Sequence, residues 1–169
     1  MSDIPVCQNC GKKLYKQYGS RGLLATPSQR YSYKGFKTPK LTVKPESNFG
    51  RQIMKNISHA QWTRIENRHG GGVPDLYGIY GGQAIWLELK CIKQNSISLS
   101  PLQISWNYNN FRHGGKNYYI VQDTRSKVIK LYSGDKGREL AKQGFNYEDS
   151  IAVIDPPTDW QILNNFLFS

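Results

Sequence analysis

The sequence predicts an α/β fold in which one central mixed β-sheet lies between helices. Two kinds of segment are mixed along the chain. In some, the apolar residues recur at helical spacing; in others, apolar and polar side chains alternate as in strands. The chain of 169 residues is 38% hydrophobic, so it fits one domain and can bury a core. The predicted order is a basic arm, a helix, three strands, a helix, two strands, a short helix and a terminal helix.

The first helix is predicted where Phe49, Ile53 and Ile57 form an apolar stripe. Pro45 and Glu46 open it, because proline and an acidic residue both suit a first helical turn.

A strand follows from residue 61, with Trp62, Arg64 and Glu66 on one face, and the glycines at 70–72 end it. Residues 75–80 and 83–90 are then typical of a hairpin with Gly81-Gly82 as its turn.

The second half of the chain begins with a helix whose N-cap is Ser100, with Pro101 at the first helical position and Gln103 three residues after the cap. The remaining predicted elements are strands at 116–123 and 127–133, a short helix at 135–144 and a C-terminal helix capped by Thr158.

The hairpin carries charged residues inside apolar sequence. Glu88 and Lys90 are two apart and share a strand face, and closing the turn brings Asp75 near Glu88. Two carboxylates in one cleft either share a proton or bind a divalent cation, and Mg²⁺ accepts such ligands together with water and phosphate. Lys90 could then orient or deprotonate a water, or stabilise developing charge. This combination describes phosphodiester hydrolysis.

Each of these residues also has an ordinary explanation when taken alone. Asp75 after a proline is a turn former, and Glu88 with Lys90 on an exposed strand would be a solvated pair. The ordered combination of Pro-Asp, hairpin and Glu-Leu-Lys favours the catalytic interpretation.

The charge of the chain, +11 overall, is concentrated near its start. Residues 1–45 hold nine of the 23 Lys and Arg residues, only one acidic residue and several aromatics. Basic side chains neutralise phosphates and aromatic rings stack on bases, so nucleic acid is the predicted partner, although a solubilising or ribosome-like tail is the alternative. The predicted DNA contacts are Lys12, Lys13, Lys16, Arg21, Arg30, Lys34, Lys37 and Lys40.

The cysteines predict neither a disulfide framework nor a complete zinc site. Cys7 and Cys10 resemble one knuckle of a zinc ribbon, but Cys91 is the only other cysteine, so Zn²⁺ needs a second subunit or the knuckle is degenerate. A nuclease of the HNH type needs clustered histidines, which the sequence lacks. Without a signal peptide or an apolar span, we expect no membrane partner and a cytoplasmic location.

The hairpin motif, with the segment after it, resembles a known nuclease family. Pro74-Asp75 followed by Glu88-Leu89-Lys90 is similar to the PD-(D/E)XK signature of restriction-endonuclease-like folds. Residues 45–122 resemble most the virus-type replication-repair nuclease (VRR-NUC) branch and phage Holliday-junction-resolvase-like proteins. The matching residues are Gly72, Asp75, Leu76, Glu88, Lys90, Leu99, Ser100, Gln103, Trp106 and Gly114 or Gly115.

The resemblance implies a Mg²⁺-dependent endonuclease in which Mn²⁺ substitutes. It makes Asp75 and Glu88 metal ligands and Lys90 the catalytic lysine, and it places Gln103 near the site, although Ser-x-x-Gln is also a capping box. An additional acid on the first helix is implied as a metal ligand; Glu46 is the matching candidate, and Glu66 is its rival.

These expectations together describe a restriction-endonuclease-like core at 46–169 behind a basic aromatic arm or small subdomain at 1–45. The resemblance implies action on branched or Holliday-junction DNA in phage or bacterial replication, recombination or repair, in a bacterial or phage-infected cell. It also favours a homodimer, because cutting two strands symmetrically needs two sites. The alternatives are a sequence-specific restriction or homing endonuclease and a non-catalytic nucleic-acid-binding protein on the same fold.

Overall fold

Six strands form one sheet, in which their spatial order is their order along the chain. The computed structural model describes residues 44–65 and 71–169. The strands are β1 (Gln61–Arg64), β2 (Leu76–Tyr80), β3 (Gln83–Ile92), β4 (Lys116–Asp123), β5 (Ile129–Ser133) and β6 (Ala152–Ile154). The helices are α1 (Pro45–Asn56), α2 (Pro101–Arg112), α3 (Gly137–Gln143) and α4 (Trp160–Phe168), with 3₁₀ turns at Gly134–Lys136 and Gly144–Asn146. The predicted α/β class, with a central mixed sheet flanked by helices, is confirmed.

The sheet is mixed because one of its connections is a helical crossover. β3 and β4 are parallel and α2 joins them, whereas every other neighbouring pair is antiparallel. The tight turn between β2 and β3 consists of Gly81 and Gly82 at φ +57° and +78°, a conformation that suits glycine and closes a two-residue hairpin.

The two faces of the sheet bury separate apolar clusters. On the first face, Phe49 and Ile53 of α1 and Ile57, which follows the helix, pack with Leu87 and Leu89 of β3 and with residues of α4. The second face carries the cluster Ile92, Ile97, Tyr119, Val121, Tyr132 and Leu140. Because side chains alternate along a strand, Glu88 lies on the second face, beneath α2.

The structure corrects two details near the C-terminus. The helix α4 is capped by Asp159, whose carboxylate accepts hydrogen bonds from the backbone N–H groups of Gln161 and Ile162, so the predicted cap at Thr158 is wrong. The edge strand β6 was not predicted, because three residues are too few to display an alternating pattern.

Several predicted residues lie outside the described part of the chain. These are Glu66, the cysteines Cys7 and Cys10, and the basic residues Lys12, Lys13, Lys16, Arg21, Arg30, Lys34, Lys37 and Lys40. Within the described residues, the helices are all too short or too polar to span a bilayer.

Candidate active site

The site lies where β3 extends beyond the start of its neighbour β2. β2 begins at Leu76, which pairs with Leu87, whereas β3 continues as far as Ile92. In this unpaired part of β3, side-chain carboxylates accept the hydrogen bonds of two backbone N–H groups that a neighbouring strand would otherwise accept. Asp75 Oδ2 accepts from the N–H of Leu89 at 2.9 Å, and Glu46 Oε1 accepts from the N–H of Cys91 at 3.4 Å. A backbone donor without a partner is costly, so these bonds hold both acids beside β3.

Glu88 lies in the interior of β3 and is 0% exposed. Its Oε1 is 3.0 Å from Lys90 Nζ and accepts a further hydrogen bond from Gln103 Nε2. Its Oε2 is buried and has no partner among the described residues. A buried polar atom calls for a partner, which can be water, an ion or a substrate, and the buried atoms Asn110 Nδ2, Asn117 Oδ1 and Asp135 Oδ1 share this state among the described residues.

Burial and mutual repulsion set the protonation of the two hairpin carboxyls. Desolvation and the nearby charge of Asp75 raise the pKa of Glu88 to about 7, although Lys90 acts in the opposite direction. The pKa of Asp75 is also raised, chiefly by burial, against the lowering effects of the Leu89 hydrogen bond and of Lys90. A cation that binds these carboxyls below about pH 7 would therefore compete with a proton on Glu88.

Gln103 combines the two roles that the sequence left open. Its backbone N–H donates to Ser100 Oγ at 3.2 Å, and its Oε1 accepts from the N–H of Ser100 at 3.0 Å, which completes a capping box. The same side chain donates from Nε2 to Glu88, while its Oε1 lies 3.5 Å from Lys90 Nζ. The cap of α2 thus fixes the amide that orients Glu88.

Aromatic rings hold α2 against the sheet next to this amide. Trp106 of α2 meets Trp86 of β3 edge to face at 5.2 Å between ring centroids, and Trp86 meets Tyr77 of β2 at 4.8 Å. The backbone of Gly72 approaches α2 so closely that a Cβ atom there would lie 2.6 Å from the carbonyl oxygen of Leu102, at a φ of +107°. Only glycine fits this approach, which brings the segment before Asp75 to the start of α2.

The residues of this site fit a divalent cation that binds oxygen. Asp75 and Glu46 both line a cavity of about 10 Å³, which is the size of one water-sized ligand. Arg64 lines this cavity as well, and Glu88 does not, but the unpaired Oε2 of Glu88 is a further oxygen on β3 that can bind a cation. In the described residues, no three acidic, histidine or cysteine side chains lie close enough together to hold an ion by themselves. Mg²⁺ suits such a site, because it commonly takes one or two carboxylates and completes its shell with water and phosphate oxygens.

A wider cleft of about 520 Å³ opens beside these acids. Its lining residues are Glu46, Lys90, Cys91, Ile92, Lys93, Gln94, Ser96 and Ser98. The sequence indicated only a polar loop after β3, and nothing in its pattern assigned those residues to the site.

Comparisons with known proteins give limited similarity. No protein-family model matches the chain, and no curated protein matches its sequence. Among solved structures, it is similar to Hjc, a Holliday junction resolvase from the archaeal hyperthermophile Archaeoglobus fulgidus, with 15% sequence identity and a TM-score of 0.45 over 66% of this chain and 88% of that chain. Values this low do not indicate what this chain does.

Proposed function

We propose that this chain is a metal-dependent DNA endonuclease of the PD-(D/E)XK type that hydrolyses phosphodiester bonds. The observation that supports it most is the buried carboxylate of Glu88, which has one unpaired oxygen, lies near a second carboxylate at Asp75 and is 3.0 Å from Lys90. Leaving a buried carboxylate oxygen without a partner is costly, so this oxygen favours a ligand that completes the polar network.

The side chains divide the chemistry between them. Asp75, Glu88 and Glu46 are the side chains that would bind the ion; because the described residues offer no three such side chains close enough to hold an ion alone, water and phosphate oxygens would complete its shell. When bound, the ion would supply Lewis-acid stabilisation of charge on the phosphate. Lys90 is 18% exposed and lines the open cleft, and an ammonium has three N–H groups to donate. It can therefore keep its contact with Glu88 while donating to a phosphate oxygen or to the attacking water. Gln103 contacts both Glu88 and Lys90 and so orients the two side chains relative to each other.

The substrate, the ion and the assembly are proposed from the sequence resemblance. We propose branched DNA such as a four-way junction as substrate, Mg²⁺ as the ion with Mn²⁺ able to replace it, and a homodimer that cuts two strands symmetrically. The basic segment at 1–45 would add affinity for the DNA backbone. The setting that we propose is phage or bacterial DNA replication, recombination or repair.

Cleavage of end-labelled DNA tests this proposal. Four-way junction, flap, single-stranded and linear duplex substrates are incubated with wild type and Glu88→Gln in Mg²⁺ or EDTA, and binding is measured separately in EDTA. We expect Mg²⁺-dependent cutting by wild type and a loss of about 10²-fold or more in Glu88→Gln, with binding retained. Glu139→Gln, an exposed site on α3, is the matched control and should cut like wild type.

The substrate pattern separates the alternatives. A single cut in linear duplex, with junctions ignored, would identify a sequence-specific endonuclease. Binding without cutting of any substrate by wild type, in Mg²⁺ and in Mn²⁺, would identify a non-catalytic binding protein. Undiminished cutting by Glu88→Gln would contradict the assignment of the site.

A further inference from the structure

The loop that follows β3 presents alternate residues to two sides. Gln94, Ser96 and Ser98 line the cleft that begins at Lys90. Ile97 is 3% exposed and packs in the second core cluster, so it faces the body of the protein. The loop therefore offers a row of amide and hydroxyl groups to the cleft and an apolar anchor to the core.

Asn95, although exposed, fixes this loop to a neighbouring segment. Its Nδ2 donates to the carbonyl of Gln143 at 2.8 Å, and its Oδ1 accepts from the N–H of Asn146 at 2.7 Å. Its own carbonyl accepts from the N–H of Phe145 at 2.8 Å. The three bonds tie the loop to the end of α3 and the turn after it, so the backbone of the loop is held in place before any ligand arrives. Preorganisation of this kind lowers the cost of binding.

The cleft is rich in hydrogen-bond donors and carries positive charge. Lys93 is exposed on its wall and forms no salt bridge within the part of the chain that is described. Glu46, at the end nearest the candidate active site, is the only acid among the lining residues. Lysine, serine and glutamine side chains are common phosphate contacts in protein–DNA complexes. The volume of about 520 Å³ is within the range of ligand-binding clefts, which is about 300–1,000 Å³.

The turn between β4 and β5 adds a third lysine, beyond Lys90 and Lys93, near this cleft. Thr124 donates to the carbonyl of Ile92 from both its backbone N–H and its hydroxyl, each at 2.8 Å, which places the turn beside the end of β3. Lys127 is exposed in this turn, and its backbone N–H donates to the carbonyl of Asp123 at 2.9 Å. Asp123 pairs with Ile92 at the end of β3, so the turn carries the Lys127 charge near the cleft wall.

We infer that this cleft binds a backbone phosphate of the DNA strand that is cut, adjacent to the scissile phosphate. Lys93, Ser96 and Ser98 are the ligands, and Lys127 supports them from the neighbouring turn. The inference rests on the proposed function, because the cleft is continuous with Lys90 and Glu46. It assigns DNA contacts to the core itself, in addition to the basic segment at 1–45.

The first test measures how binding depends on salt. Binding of a cleavable DNA substrate is titrated in EDTA over a range of salt for wild type, Lys93→Ala and Lys55→Ala. Loss of one phosphate contact should reduce the slope of log K against log [salt] by about 0.9 for Lys93→Ala. Lys55 is the matched control: it is exposed, it loses the same charge, and it lies about 14 Å along α1 from Glu46. Its variant should keep the wild-type slope.

The second test identifies the phosphate. Neutral methylphosphonates replace, one at a time, the phosphates on either side of the mapped cut. One position should weaken wild-type binding several-fold and leave the binding of Lys93→Ala unchanged, since the contact is already absent. The double variant Ser96→Ala/Ser98→Ala should reduce the penalty at the same position.

The outcomes separate this inference from the proposed function. A wild-type protein that cuts no DNA overturns both. If wild type cuts DNA, but the effects of Lys93→Ala and of every methylphosphonate on binding are additive, the phosphate site is overturned and the nuclease assignment stands. Equal slope changes for Lys93→Ala and Lys55→Ala also overturn it, because they would reflect net charge alone.

Discussion

The substitution Glu88→Gln tests the electrostatics of the site without any assay of cleavage. Glutamine keeps the size and hydrogen-bonding shape of the side chain but removes the charge and the titration. In wild type, the buried carboxyl has a pKa raised from 4.5 to about 7 in the folded state. The folded protein therefore binds a proton at this group more tightly than the unfolded chain does.

The direction of the effect follows from this difference. Stability from the raised pKa of Glu88 is fully present below about pH 4.5 and is lost as the pH rises through about 7. Each pKa unit corresponds to about 1.4 kcal/mol, so the whole window is worth about 3 kcal/mol. Between about pH 5 and about pH 8, the free energy of unfolding of wild type should fall by about 2–3 kcal/mol relative to Glu88→Gln. The variant also relieves the repulsion on Asp75, so the difference reports on the pair.

Urea unfolding in EDTA at several pH values, followed by tryptophan fluorescence, measures this difference directly. Subtraction of the two proteins cancels every titrating group that the substitution does not affect. The exposed Glu139→Gln on α3 serves as the control and should keep the wild-type pH dependence. Parallel pH profiles for wild type and Glu88→Gln would refute the reasoning, because they would mean that the carboxyl titrates in the folded protein as it does in the unfolded chain.

The other predictions concern single residues of the site and its supports. Mg²⁺ at about pH 8 should raise the melting temperature of wild type but not of Glu88→Gln, and an equal rise in both would exclude this carboxylate as a ligand. Lys90→Met should reduce cleavage by about 10²–10⁴-fold while DNA binding in EDTA is retained; appreciable cutting would remove Lys90 from the chemistry. Ser100→Ala should lower the free energy of unfolding by about 1 kcal/mol in urea and weaken cutting, since it loosens the cap that holds Gln103. Asp159→Ala should have a similar cost of about 1 kcal/mol with unchanged cutting, and a loss of cutting would show that α4 affects the site.

Local rules were sufficient to bring the hairpin residues together. The two-fold alternation of a strand puts Glu88 and Lys90 on one face, and the two-residue glycine turn fixes the register that brings Asp75 close. The cap of α2 at Ser100 was likewise predicted, because its hydrogen bonds are made within one turn. Neither prediction needed knowledge of the rest of the fold.

Features that depend on distant segments were not predictable in the same way. The hydrogen bond of Glu46 to the N–H of Cys91 exists because β2 begins only at Leu76 and leaves the end of β3 without a partner on this side, and it joins residues 45 positions apart. The loop containing Asn95 is tied to the end of α3, 48 positions further on. The sequence shows the polar groups that form these bonds, but only the packing of helices on the sheet shows which of them meet.

The burial of Glu88 argues that the site is arranged for a ligand rather than for stability. Replacing a buried ion pair with apolar residues of similar size is often neutral or stabilising, so the pair with Lys90 gives no stability that a hydrophobic strand would lack. The carboxylate instead lowers stability by about 3 kcal/mol at high pH, where it is ionised, if nothing else binds it. A cation at this position would reverse that cost and release the proton, so its affinity should fall about tenfold for each pH unit below about 7. We therefore expect ion binding near that pH to release a proton, and a measurement of this release tests whether the carboxyl that lowers stability is also the one that binds the ion.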